Sequence, residues 1–191
     1  MEMEHPKRPM AMNPQKFALW LLIVSIVMMF AAMTSAYIVR RAEGNWLEVE
    51  IPFIMYVSTG VILLSSITMH WAYLSARRDN LQTLKVALLV TTLLGLAFVA
   101  AQWHSRTVLR QEGVFFGGEL SNPGGSFIYV LAGLHVFHLI TGVIFLFVVL
   151  VSAFGYKVHS KNMNLIEMSA TYWHFLDALW IYLFVFLLLN H

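Results

Sequence analysis

The chain has 191 residues, 59% of them hydrophobic and 12% charged, against the ~25% charged residues of an ordinary soluble domain; its mean hydropathy of +0.71 points to lipid as the solvent. The absence of cysteine excludes disulfides, thiolate metal sites, iron–sulfur clusters and covalently attached haem. A net charge of +2, with the basic residues in short loops, gives no ground for nucleic-acid binding.

Residues 1–16 are polar and proline-containing and read as a loose tail. Five apolar stretches follow, each close to the ~20 residues a helix needs to cross ~30 Å of hydrocarbon. The first, 17–39, holds no charge and ends in Arg40 and Arg41. It exceeds the ~7–15-residue core of a signal peptide and reads as a span. The second, 52–76, carries only His70, and Pro52 suits a first helical turn. The third, expected near 85–106, has His104 close to its end. The fourth lies between Glu119 and Lys157 and is expected at 125–153, after the turn-like Ser121-Asn122-Pro123-Gly124-Gly125. The fifth, 168–190, carries Asp177. The fold class predicted is an all-α polytopic membrane protein, one five-helix transmembrane domain over 17–191, in which short loops make consecutive helices antiparallel neighbours.

Lys and Arg set the orientation. Lys7, Arg8, Lys16, Arg77, Arg78, Lys85, Lys157 and Lys161 fall on one face, and Arg40, Arg41, Arg106 and Arg110 on the other. That asymmetry places the N-terminus in the cytoplasm and the C-terminus outside.

Ionisable residues inside a membrane are costly and mark where to look for function. His135 and His138 share a face of the fourth helix, and His174 and Asp177 a face of the fifth. A carboxylate such as Asp177 can accept an imidazole N–H and fix its tautomer. Hydrogen bonding between helices is the default role for such pairs; haem ligation and proton transfer are the sharper ones. At ~1.5 Å per residue His70 and His174 lie at similar depth, ~9 Å from the cytoplasmic end, whereas His104, His135 and His138 lack a partner at their own level. One deep acid makes a poor proton relay, and no inverted repeat suggests an autonomous transporter. Trp20, Trp46, Trp71, Trp103 and Trp173 read as interfacial anchors, with Trp180 the exception. Ala32-x3-Ala36 and Ala97-x3-Ala101 are spacings that allow close helix approach.

The fourth helix, Ser126-Phe127-Ile128-Tyr129-Val130-Leu131-Ala132-Gly133-Leu134-His135-Val136-Phe137-His138, and the fifth, Tyr172-Trp173-His174-Phe175-Leu176-Asp177-Ala178-Leu179-Trp180 after Glu167, resemble the signatures of subunit III of the haem-copper terminal oxidases, which reduce oxygen to water. Gly95, Phe98, Gln102, Gly113 and Asn122-Pro123 add to the likeness, which runs from about Phe17 to the C-terminus in the manner of the short five-helix bacterial form. Two features depart from the pattern. Where the family's first matching helix carries Ser-Glu before Val-Met, this chain reads Ser25-Ile26-Val27-Met28, so the intramembrane glutamate is replaced by Ile26. The two extra N-terminal helices of seven-helix members, one wall of a cleft that holds phospholipid, have no counterpart in this chain.

The resemblance implies a non-catalytic subunit of a proton-translocating cytochrome c or quinol oxidase in a bacterial inner membrane. Such a subunit stabilises subunit I, supports proton uptake and binds lipid. It implies no catalytic, metal or cofactor-binding residue in this chain, haems and copper in partner subunits, and bound phospholipid as the one accessory ligand. Subunit I is the direct partner, with subunit II and a small subunit IV in the same complex, membrane lipids around it and a respiratory supercomplex beyond. An independent transporter or a haem-b-binding membrane anchor is the alternative. Gln102, His135, His138, Glu167, Tyr172, Trp173, His174, Asp177 and Trp180 are expected to act in packing. Among them the histidines, Glu167 and Asp177 are expected to pair between helices, so that Asp177→Leu weakens assembly.

Overall fold

Four of the five helices start at a cap or a proline. In the computed structural model, which describes residues 13–42, 44, 51–117, 122–155 and 163–190, the Asn13 side chain accepts a hydrogen bond from the Gln15 N–H (3.0 Å) and Pro14 opens α1, Pro14–Ala42. Pro52 precedes α2, Phe53–Arg77. Asn80 accepts from the Thr83 N–H (3.2 Å) ahead of α3, Leu81–Gln111. Asn122 accepts from the Gly124 N–H (3.0 Å), with Pro123 as the first residue of α4, Pro123–Phe154. The last helix, α5, is Asn164–Asn190. Among the described residues there is no strand.

All five helices are long and apolar enough to cross a membrane. They overrun several expected ends: α1 starts at 14 rather than 17, α3 covers 81–111 rather than 85–106, and α5 starts at 164 rather than 168. The reason is physical. Hydrocarbon thickness sets the apolar length, whereas caps set the helix ends. The 31 residues of α3 extend about 46 Å, beyond the ~30 Å of hydrocarbon. Of the expected tail, residues 14–16 belong to α1 and residues 1–12 lie outside the described residues.

Helices α2, α3, α4 and α5 form a closed ring, each packed on the next and α5 returning to α2. The α2–α3 contact is the tightest, built on small side chains: Ser58, Ser65 and Ala72 on α2, and Ala87, Thr91 and Gly95 on α3. The alanine spacings singled out on α1 and α3 do not serve this purpose, since Ala32, Ala36 and Ala97 are exposed. Trp173, 1% exposed, fills the centre of the ring rather than anchoring at an interface. A Cβ on Gly95 of α3 would stand 2.7 Å from its ring, and one on Gly142 of α4 would stand 3.3 Å from it. Both glycines therefore make room for one indole.

Helix α1 stands outside the ring. It packs on α4 and α5 and makes no close contact with α2 among the described residues, so consecutive order fails to predict adjacency at this one junction. Its buried positions, Leu19, Ile23, Ile26, Phe30, Thr34 and Tyr37, form a single stripe at three- and four-residue spacing. Such a stripe suits a groove between two helices, and α3 and α5 already occupy the inner faces of α2. The helix runs parallel to α5: Lys16 pairs with Glu167 (2.6 Å) at one end, Thr34 bonds Tyr182 (3.0 Å) further along, and the Tyr37 hydroxyl donates to the Asn190 carbonyl (2.7 Å) at the other end.

Candidate functional site: the polar core of the bundle

Two doublets of small polar residues on α2, Ser58-Thr59 and Ser65-Ser66, lie seven residues apart and so recur on one face, two turns apart. Several of their hydroxyls also satisfy carbonyls of their own helix: Ser58 and Thr59 donate to Met55, and Ser65 to Ile62. The doublets meet α5 rung by rung. The Trp180 indole N–H donates to Thr59 (3.0 Å), the Trp173 N–H to Ser65 (3.0 Å), and Ser66 bonds His174 Nδ1 (2.7 Å). From α3, the Gln102 amide donates to Ser58 (2.9 Å), and Thr91 bonds Thr68 (2.8 Å). Tyr172 reaches Thr141 of α4 (2.8 Å). The α2 hydroxyls were not singled out in the sequence, although their seven-residue repeat in an apolar helix was a readable signal.

The ionisable residues divide into those with partners and those without. Glu167 is bonded to Lys16 and His174 to Ser66. Asp177 is 2% exposed, and among the described residues neither carboxyl oxygen has a partner at full hydrogen-bond geometry, although the Ser66 hydroxyl of α2 lies beside it. The His174–Asp177 pairing expected from their spacing does not form, because Ser66 takes the imidazole. His135 is fully buried between Phe98 (ring centroids 5.8 Å apart, edge-on) and Trp180 (5.0 Å), with both ring nitrogens unbonded. His138 Nδ1 bonds the Leu134 carbonyl of its own helix (2.7 Å), and its ring packs against Phe30 of α1 (5.9 Å). A carbonyl only accepts, so Nδ1 is the donor in this bond. Glu167 and His174 thus make hydrogen bonds to other helices, while among the described residues the polar atoms of His135, His138 and Asp177 make none at full geometry.

Ile26 is 3% exposed in the buried stripe of α1, one turn from Phe30. The position where the family pattern has glutamate therefore faces the α4–α5 seam and not lipid. His70 and His174 do lie at one level, with ring centroids 6.2 Å apart, beside a groove of about 430 Å³ that Glu167 and Thr171 also line. Trp173, the residue before His174, joins α5 directly to α2 beside the pair. Among the described residues, no three His, Asp or Glu side chains converge as a metal site.

A sequence profile of cytochrome c oxidase subunit III matches residues 4–190. The chain belongs to the cytochrome c oxidase subunit III family. It is 27% identical to cytochrome c oxidase subunit 3 of Oryctolagus cuniculus and 28% identical to that of Rattus norvegicus. Each alignment covers 93% of this chain and 70% of the relative. Against the Squalus acanthias protein it is 33% identical over 139 residues, 71% of this chain and 49% of that one. The chain is accordingly a multi-pass membrane subunit III of a haem-copper oxidase, and family membership favours neither the independent transporter nor the haem-b anchor. The family motif residues of α5 are the ones that face the ring interior and α1.

Proposed function

We propose that this chain is the non-catalytic, stabilising subunit of a proton-translocating oxidase in a bacterial cytoplasmic membrane. It packs against subunit I, with subunit II and a small subunit IV in the same complex. Haems and copper reside in those partners, and the subunit binds membrane lipid. The observation that carries this reading is how the motif side chains of α5 are used. Trp173, His174 and Trp180 bond α2, Tyr172 bonds α4 and Glu167 bonds α1. Side chains committed to holding four helices together suit a scaffold.

Trp173→Leu tests it. Loss of the indole from the ring centre should destabilise this subunit by about 2–4 kcal/mol. The variant chain should therefore co-purify with the haem-bearing partners in reduced amount, while the reduced-minus-oxidised spectrum of the complexes that retain it stays unchanged. A shifted haem spectrum in such complexes would overturn the non-catalytic reading. The same proposal puts Lys16 and Glu167 at the cytoplasmic end; a C-terminal tag reached only from the cytoplasm would reverse that orientation.

A further inference from the structure

At the end of the bundle opposite Lys16 and Glu167, α3 and α4 part to leave an open groove of about 870 Å³. Trp103, Arg106 and Arg110 line it from α3, and Tyr129, Val130 and Leu134 from α4. Among the described residues, no acidic side chain lines it and neither arginine has an ion-pair partner. The groove is held in shape from both sides. Tyr129 donates its hydroxyl to the Val114 carbonyl (2.9 Å), which ties the segment after α3 to the start of α4. The Arg106 guanidinium lies 6.0 Å from the centre of the Trp103 ring. It crosses α4 at Gly133, where a Cβ would stand 2.9 Å from Nη2.

Depth decides what such a groove can take. The apolar stretch of α3 between Lys85 and Arg106 is centred near Gly95. Measured from there at ~1.5 Å per residue, Arg106 lies about 16 Å and Arg110 about 22 Å from the membrane centre. Hydrocarbon ends at ~15 Å and headgroups at ~20–22 Å. The backbones of Arg106 and Arg110 therefore stand at the hydrocarbon boundary and in the headgroup layer, with the Arg106 guanidinium reaching down over Gly133, while Val130 and Leu134 line the wall beside the acyl chains. Arginine forks match phosphate oxygens in pairs.

We propose that the α3–α4 groove binds one anionic phospholipid, its phosphate between Arg106 and Arg110 and an acyl chain along Val130 and Leu134. The site lies in the leaflet opposite the Lys16–Glu167 end. It rests on the membrane placement of α3 and α4 alone, and not on the scaffold role.

The complete oxidase, delipidated in detergent and titrated with phosphatidylglycerol, phosphatidylcholine or orthophosphate, tests the site, with retained lipid counted by native mass spectrometry. Wild-type complex should keep one more phosphatidylglycerol than the Arg106→Gln, Arg110→Gln double variant. The variant's apparent affinity should fall about tenfold or more. Gly133→Ala keeps both charges and pushes the Arg106 guanidinium aside, so it should weaken retention in the same direction even where the double variant assembles poorly. The haem spectrum reports that each complex is intact. Equal retention in wild type and variants, or no preference over phosphatidylcholine, would overturn the proposal. So would displacement of the lipid by orthophosphate, the mark of a simple anion site. Loss of a neighbouring subunit from the double variant, with the lipid count unchanged, would assign the arginines to a protein partner instead.

Discussion

Asp177 and His135 are buried side chains whose polar atoms have no partner at full hydrogen-bond geometry among the described residues. A buried polar group without a partner costs stability rather than supplying it. As placed, with the Ser66 hydroxyl beside it but no bond at full geometry, Asp177 is a weak clasp between helices. Asp177→Leu should leave retention of the subunit in the oxidase unchanged or raise it, by no more than about 1–3 kcal/mol. Ser66→Ala, which strips His174 of its one bond, should lower retention slightly, by about 0.6–2 kcal/mol. Thermal release of the subunit from the purified complex measures both. A large loss with Asp177→Leu would mean that the carboxyl finds its partner only in the assembled enzyme.

Among the helices, the glycines show where the ring is tight. Gly95 and Gly60 lie on the neighbouring helices α3 and α2. A Cβ at Gly95 meets the Trp173 ring at 2.7 Å, whereas a Cβ at Gly60 meets nothing within 4 Å. Gly95→Ala should destabilise by about 1–3 kcal/mol through overpacking. Gly60→Ala should be neutral or stabilising by up to ~1 kcal/mol, as helix propensity dictates. Thermal unfolding of the two variant complexes separates these outcomes. The same contrast explains what the sequence made legible. Five spans and the level shared by His70 and His174 followed from apolar length and rise per residue, because both are properties of one helix taken alone. The central place of Trp173, the role of the Ser58-Thr59 and Ser65-Ser66 doublets and the surroundings of Asp177 depend on which face meets which neighbour. Spacing within one helix does not determine that.

At the scale of the whole molecule, the subunit is a four-helix ring with a fifth helix leaning on it. The attachment of α1 is slender. The Lys16–Glu167 pair is more than a third exposed on each side and contributes under about 1 kcal/mol. Thr34, Tyr37 and Arg41 add hydrogen bonds to α5 in the far half of the helix, beside one apolar stripe. Ile26 sits in the middle of that stripe, so the carboxylate of the family pattern would enter the α4–α5 seam there. The seam offers little to receive it: Phe30, one turn away, already covers the His138 ring. Ile26→Glu should cost on the order of 2–3 kcal/mol, the penalty for an acidic group near the centre of a span. The cost should fall on α1 alone, because the ring closes through α2–α5 contacts that α1 does not share. Hydrogen–deuterium exchange of the oxidase in lipid nanodiscs reads this directly. In the variant, α1 should exchange faster while α2 to α5 keep their protection, and Ile26→Leu should match wild type. Faster exchange in all five helices would show that α1 is a structural member of the ring, and that its single buried stripe understates what holds it there.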